Sequence, residues 1–155
     1  MPDISLSLAT EEDCLDAALM GKQFHKEAVK NGYKLKFSME KFEQMYMGAI
    51  EAPEYFYMLA KNEDTGEHIG FFIGCLHNPL FSDDILATEL FWWVEKECRG
   101  RGIAIALIKE FERWAKSNNA TQVNVSDLQN VKNLGKLYNR LGYQESEMTY
   151  RKDLV

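Results

Sequence analysis

The sequence lacks the features of a membrane protein, a secreted protein and a zinc protein. It contains no stretch of about 18 consecutive apolar residues, so we expect no membrane span. Its acidic beginning, MPDISLSLATEEDC, has no apolar signal core, which argues against secretion. The cysteines, Cys14, Cys75 and Cys98, form no CxxC pair. We therefore expect reduced thiols in the cytoplasm, without a disulfide framework or a bound metal.

The sequence also has fewer basic residues than acidic ones. The formal net charge is −6, which argues against a general nucleic-acid binder and permits a cationic substrate. Of the 155 residues, 46% are hydrophobic and 27% are charged, values that suit a globular domain with a real core. Because no repeat, low-complexity stretch or linker divides the sequence, we predict a single domain over residues 1–155.

The hydrophobic pattern predicts a chain that alternates between strands and helices. The predicted strands are residues 3–8, 55–60, 68–76, 85–94, 121–126 and 143–154. The predicted helices follow Thr10, Ser38 and Gly102, and a fourth covers residues 131–141. A short turn joins the second and third strands, so they are antiparallel, while the connections through later helices imply some parallel pairing. We therefore predict an α/β (α+β) fold with a mixed, mostly antiparallel central sheet flanked by helices.

The segment Arg99-Gly100-Arg101-Gly102 stands where an amphipathic helix begins, yet it offers no Ser, Thr, Asp or Asn to cap that helix. The first N–H groups of a helix have no acceptors within it, and the helix dipole adds about half a positive charge there. Two arginines add formal charge. These features predict an anion site, most naturally for phosphate, and a solvated helix start is the alternative. A Walker-type loop and a dinucleotide-binding loop are disfavoured, because their lysine and third glycine are missing.

Two motifs resemble those of the GNAT family of N-acetyltransferases. Arg99-Gly100-Arg101-Gly102-Ile103-Ala104 is similar to the family's Arg/Gln-x-x-Gly-x-Gly/Ala motif. Leu137-Tyr138-Asn139-Arg140-Leu141-Gly142-Tyr143 resembles its second signature, Leu-Tyr-x-x-x-Gly-Phe/Tyr. The order of predicted elements also matches, although Lys96 stands where the family commonly has proline. The resemblance implies the GNAT-like acyl-CoA acyltransferase fold.

The resemblance also implies where acetyl-CoA binds. The pyrophosphate is expected on the backbone N–H groups of residues Arg99, Gly100, Arg101, Gly102, Ile103 and Ala104. The preceding strand is expected to separate from its neighbour and to offer backbone groups near Trp92 and Val94 to the pantetheine arm, while their side chains belong to the core. Asn130 and Asn133 flank the next helix start, where the family often has a CoA-contacting asparagine, but their spacing from Tyr138 departs from the family pattern.

Tyr138 and Glu89 are the candidate catalytic residues. The family's tyrosine at the position of Tyr138 lies near the CoA sulfur and can act as a general acid; periodicity alone also permits a buried core tyrosine. Glu89 lies on the strand that usually carries a catalytic or water-positioning carboxylate. Because side chains alternate along a strand, Glu89 should lie on the opposite face of the sheet from Trp92 and Val94. A β-bulge between them would bring all three to the same face. If Glu89 is not the base, water takes the proton from the amine.

Residues near the end of the first helix are the candidate acceptor contacts. The family often builds the acceptor wall there, so His25 and Glu27 are predicted to bind the substrate, with a solvated helix end as the alternative. An aromatic pocket with a carboxylate would suit a cationic amine. The sequence does not distinguish a small-molecule acceptor from a protein.

The resemblance predicts an acetyl-CoA-dependent N-acetyltransferase that acts on a primary amine by direct attack in a ternary complex. The alternative is a catalytically silent acyl-CoA-binding or protein-interaction module on the same fold. Acetyl-CoA and an amine are the expected partners, without nucleic acid, a membrane or a metal. Homodimers are common in the family, so a homodimer is a further possible assembly of this protein.

Overall fold

The computed structural model describes residues 2–127 and 134–154. The described strands are β1 (Ile4–Leu8), β2 (Tyr55–Asn62), β3 (His68–His77), β4 (Leu86–Val94) and β5 (Gln122–Asn124). The described α-helices are α1 (Cys14–Lys30), α2 (Met39–Glu51), α3 (Ile103–Ser117) and α4 (Leu134–Arg140). Short 3-10 turns cover Glu11–Asp13 and Lys96–Cys98. The predicted cofactor contacts Asn130 and Asn133 lie outside the described residues.

Local signals determine where the first two helices begin and end. The carboxylate of Asp13 accepts from the backbone N–H of Thr10 at 3.0 Å, which caps the turn leading into α1. The Ser38 hydroxyl accepts from the N–H of Lys41 at 3.3 Å and caps α2. Gly32, just beyond α1, has a φ of 92°, the left-handed conformation that commonly ends a helix. These boundaries agree with the predicted ones.

The five described strands form one sheet in the order β1-β2-β3-β4-β5. The first three pairings are antiparallel, and β5 pairs with β4 in parallel. This topology confirms the prediction of a mixed, mostly antiparallel sheet. The parallel pairing follows from the crossover through α3, which returns the chain to the end of the sheet where β4 began.

Alternating side chains of the strands build a core on each face of the sheet. Phe56 and Phe72 face α3 and pack near Phe111 of that helix, while Tyr57 and Phe71 face α1 and α2. Each large apolar side chain buried in this way stabilises the fold by about 1.5–3 kcal/mol. The fold is therefore a sheet with one helical layer on each face, and the site lies where α3 meets β4.

The strand predicted for residues 143–154 is wrong. Among the described residues no strand follows α4, and the segment extends without pairing to the sheet. Beyond Tyr143, its apolar side chains, Met148, Tyr150 and Leu154, are 73%, 86% and 89% exposed, so no apolar burial there offsets the cost of ordering a strand. Polar contacts hold the segment instead. Arg151 donates to the carbonyl of Gly32 at 2.9 Å, and Lys34 pairs with Asp153 at 2.5 Å.

The helices of residues 2–127 and 134–154 are too short or too polar to cross a membrane.

Candidate active site

The glycine turn before α3 has the backbone that its residues predict. Gly100 and Gly102 have φ values of 81° and 82°, in the left-handed region that glycine adopts without cost. A Cβ atom at either position would meet no atom of the described residues within 4 Å, so this part of the chain leaves space beside the turn. The glycines are therefore needed for the conformation of the turn and not for close packing.

The start of α3 presents its N–H groups to this open space. The first intrahelical hydrogen bond runs from the N–H of Ala106 to the carbonyl of Gly102 at 3.0 Å, so the N–H groups of residues 103–105 find no acceptor within the helix. Within residues 2–127 and 134–154 no side chain caps the helix, and no acidic residue lies in its first turn. The helix start can therefore accept an anionic group.

The two arginines of the turn face different ways. The guanidinium of Arg99 donates through Nε to the carbonyl of Val94 at 2.9 Å and through Nη2 to both carboxylate oxygens of Glu27 at 2.7 Å. Trp93 Nε1 donates to the same carboxylate at 3.0 Å. Arg101 is exposed. Sequence reasoning places both arginine charges beside a phosphate, whereas in the structure Arg99 lies against α1.

Glu27 is a structural partner of the turn. Burial disfavours its charged form, but hydrogen bonds from Arg99 and Trp93 outweigh that effect, so the pKa of Glu27 lies below its ordinary value. Glu27 therefore carries a negative charge that Arg99 balances. The predicted contact between Glu27 and a substrate stays a prediction, and the observed contacts of its carboxylate are with protein groups.

Among the residues that the structure describes, no strand pairs with the edge of β4 near the turn. The pairing of β4 with β5 covers Leu86–Thr88, whereas the strand continues to Val94. The N–H of Glu95 donates to Ile69 of β3 at 2.7 Å, so by alternation the backbone groups of Trp92 and Val94 point to the opposite, open edge. Arg99 occupies the carbonyl of Val94, while the side chains of Trp92 and Val94 pack in the core. The backbone of Trp92 and the N–H of Val94 are thus placed to pair with an extended ligand.

A β-bulge places Glu89 on the same face as Trp92. Phe91 pairs with Ile73, but Glu89 pairs with Gly74, so Leu90 is an extra residue in β4. The strict alternation expected from sequence would put Glu89 on the other face. The bulge resets the parity in the way that the candidate role of Glu89 requires.

Glu89 is a buried carboxyl group at the point where β4 and β5 separate. It is 7% exposed, and its Oε2 accepts from the backbone N–H of Ser126 at 2.9 Å. Burial raises the pKa of Glu89 to about 7, although the Ser126 N–H favours the charged form. Near neutral pH, Glu89 is therefore close to the midpoint of its titration and can exchange a proton.

Tyr138 of α4 lies beside Glu89 and is linked to it through Ser126. Its hydroxyl donates to the carbonyl of Ser126 at 2.8 Å and accepts from Trp92 Nε1 at 3.2 Å. Tyr138 is 7% exposed and belongs to the core on the α3 face. Burial raises the pKa of Tyr138 well above that of an ordinary tyrosine, so the phenol keeps its proton. Tyr138 is thus both a core residue and a hydrogen-bond donor.

Ser126 could not be identified from sequence, because only its backbone groups connect Glu89 and Tyr138 and its side chain carries no signal. The pairing of Glu27 with Arg99 was also missed. These residues are 72 positions apart, and no local pattern relates them.

His25 has a partner within the protein. Its Nε2 lies 2.6 Å from the carbonyl of Leu35, and since a carbonyl only accepts, Nε2 carries the hydrogen. The ring also lies near Tyr33 and Phe37, at centroid distances of 6.3 and 5.6 Å. His25 therefore fastens α1 to the loop before α2, and its contact with a substrate stays a prediction.

A helix start that can accept an anionic group lies next to an edge of β4 that no described strand covers and next to a buried carboxyl–phenol pair. This arrangement suits an acyltransferase whose acyl donor carries phosphates. The model of the acetyltransferase (GNAT) family matches residues 23–143, and the chain belongs to this family.

Solved structures of acetyltransferases share the fold. A Trypanosoma brucei acetyltransferase is 18% identical, with a TM-score of 0.74 and coverage of 98% of this chain and 100% of that one. Glucosamine-6-phosphate N-acetyltransferase from Arabidopsis thaliana is 12% identical, with a TM-score of 0.74 and 99% of each chain covered. AAC(6')-Iy in complex with the bisubstrate analogue CoA-S-monomethyl-acetylneamine is 17% identical, with a TM-score of 0.76 and coverage of 97% and 99%. No curated protein sequence matches the chain.

Proposed function

We propose that the chain is an acetyl-CoA-dependent N-acetyltransferase that acetylates a primary amine by direct attack in a ternary complex. The observation that carries this proposal is that Glu89 and Tyr138 both hydrogen-bond to the backbone of Ser126. This shared contact holds a candidate base and a candidate acid close together near the edge of β4. Family membership supports the general chemistry.

The residues at the turn fit the phosphate-bearing end of acetyl-CoA. The left-handed glycines leave open space, the first turn of α3 lacks acidic residues, and Arg101 is exposed. In this proposal the N–H groups of residues 100–104 hold the pyrophosphate, since the N–H of Arg99 already donates to the carbonyl of Lys96 at 3.3 Å. The edge at Trp92 and Val94 pairs with the pantetheine arm. Acetyl-CoA supplies the acetyl thioester.

In the proposed reaction Glu89 accepts one proton as the base, and Tyr138 donates another as the acid. The amine nitrogen forms a bond to the acetyl carbon and loses a proton to Glu89, directly or through one water. The carbon–sulfur bond breaks, and Tyr138 gives its proton to the sulfur. A pKa of about 7 suits Glu89 as a base near neutral pH. The Tyr138 hydroxyl must rotate from the Ser126 carbonyl, to which it now donates, to reach the sulfur.

The acceptor side of the proposed site is aromatic. Phe24 of α1 lies 5.5 Å from Phe91 of β4, measured between ring centroids, and Phe37 lies 5.8 Å from Phe42 of α2. His25 and Glu27 are the proposed polar residues of this wall. Because Glu27 is already bound to Arg99, its influence on an amine would be electrostatic.

The test is release of free thiol from acetyl-CoA across a panel of amines, peptides and proteins, together with calorimetric titration of CoA. The proposal expects CoA binding and turnover with at least one primary amine. Binding without turnover across the panel would favour a catalytically silent acyl-CoA-binding module. Absence of CoA binding would contradict both.

A further inference from the structure

An ion pair joins the turn before α3 to helix α1. Glu27 lies near the end of α1, and Arg99 immediately precedes Gly100. Their side chains are 36% and 42% exposed, so the pair is partly screened from water. The Arg99 guanidinium also bonds to the carbonyl of Val94, which fixes it from the strand side and from the helix side at once. Arg99 is therefore a rigid link between α1, β4 and the turn.

The turn needs such a link because its own residues supply little rigidity. Gly100 and Gly102 have no side chains, and no atom of residues 2–127 or 134–154 lies within 4 Å of the position where either Cβ would be. Glycine also loses more conformational freedom on ordering than any other residue. The direction of the N–H groups within the turn thus depends on the anchors at its two ends, Arg99 on one side and the packed helix α3 on the other.

We propose that Glu27 is a positioning residue: through Arg99 it holds the 99–102 turn in the conformation that places the N–H groups of the turn beside those of α3, where both can bind the phosphates of CoA. This inference rests on the proposed function, because it assigns Glu27 a task in cofactor binding. Arg99 then acts through its link to Glu27 and not as a free charge beside the phosphate. The exposed Arg101 supplies the free charge.

The test compares Glu27→Ala and Glu27→Gln with the wild-type protein. The dissociation constant of CoA should rise by about tenfold in the alanine variant, within the range of coupled residue pairs, and by less in the glutamine variant, which still accepts hydrogen bonds. KM for acetyl-CoA should rise in parallel with the dissociation constant of CoA. Glu110→Gln removes an ion pair with Arg113 on α3 and is the matched control, with no effect expected.

Hydrogen exchange without ligand gives an independent measurement of the turn. The N–H groups of Cys98 and Ala106 are bonded to the carbonyls of Glu95 and Gly102, on either side of the turn. Both should exchange faster in Glu27→Ala, whereas amides in the middle of α3 should not change. Uniformly faster exchange across the chain would mean a general loss of stability and would overturn the positioning role.

Two variants of Arg99 separate anchoring from simple charge. Arg99→Lys keeps the positive charge but loses the planar guanidinium, which bonds to Val94 through Nε and to Glu27 through Nη2, so it should weaken CoA binding nearly as much as Glu27→Ala. The double variant, Arg99→Ala with Glu27→Ala, should bind CoA about as tightly as whichever single variant has the lower affinity.

Full CoA affinity in Arg99→Lys, or additive losses in the double variant, would overturn the inference. So would tighter CoA binding by Glu27→Ala, which would mean that Glu27 competes with phosphate for Arg99. If the wild-type protein does not bind CoA, the proposed function fails, while hydrogen exchange still decides whether Glu27 anchors the turn.

Discussion

The hydroxyl of Tyr138 has two hydrogen-bond partners, one donor and one acceptor, in a buried position. Trp92 donates to it and the Ser126 carbonyl accepts from it, at 3.2 and 2.8 Å. This arrangement orients the hydroxyl beside Glu89 and keeps it protonated. The sequence permits a core role or a catalytic role for Tyr138, and the structure is compatible with both at once.

Tyr138→Phe should separate these two roles. The ring, and with it the packing, is retained, while the proton donor is lost. We expect kcat to fall by roughly 100-fold, a typical contribution of general acid catalysis, with CoA affinity nearly unchanged. Steady-state kinetics and calorimetry provide the two measurements.

Tyr143→Phe is the matched control for this variant. Tyr143 lies 5.8 Å from Tyr138 between ring centroids, and its hydroxyl donates to Glu112 at 2.7 Å, away from the proposed chemistry. Its removal should leave kcat within about twofold of wild type, as expected for a group outside the proton transfers. Equal losses in both variants would remove Tyr138 from the mechanism.

Glu89 should control the pH dependence of the reaction. A base must be ionised to accept a proton, and burial raises the pKa of Glu89 to about 7. The value of kcat/KM should therefore rise with pH and level off above about pH 7. In Glu89→Gln the rate should be low, and this step in the pH profile should be absent. A step at the same pH in Glu89→Gln would assign the titration to another group.

At the scale of elements, the start of α3 makes the sharpest prediction. Gly102→Asp would place a carboxylate at the helix start, where it would repel phosphate. CoA binding should largely vanish. Gly102→Asn has nearly the same shape without the charge, and Asn and Asp both tolerate the left-handed φ of 82° that Gly102 adopts. Calorimetry should find weak CoA binding by the aspartate variant and clearly stronger binding by the asparagine variant, with similar thermal stability for the two.

Most elements could be predicted because their signals are local. The cap at Ser38, the Gly102 turn and the apolar stripe of α3 all act within one or two helical turns, and these helices lie where expected. The segment 143–154 has a strand-like sequence, but whether it pairs depends on distant residues. The bulge at Leu90 is also decided by the register with β3, which sequence periodicity does not contain.

The candidate site likewise combines residues that local sequence predicts with a connection that it does not predict. Gly100, Gly102, Glu89 and Tyr138 could be proposed from motifs and strand position. Their connection could not, since it runs through backbone atoms of Ser126 that no side-chain pattern identifies.

For the whole molecule, the proposed activity has a cost in stability. Glu89 occupies a buried position, and its charged form is less stable there than in water. Between about pH 4.5 and 7 the folded protein retains a proton on Glu89 that the unfolded chain releases. The contribution of Glu89 to the free energy of unfolding is therefore most favourable below this window and is lost as the pH rises through about 7.

Glu89→Gln should remove this dependence. Glutamine has nearly the same size and stays neutral, so the variant should gain stability relative to wild type as the pH rises from 4.5 to 8. With a pKa moved from 4.5 to about 7, the gain is about 3 kcal/mol. Urea unfolding of both proteins at several pH values measures it. Parallel stability curves would show that Glu89 titrates alike in the folded and unfolded states, and would also withdraw its assignment as a base near neutral pH.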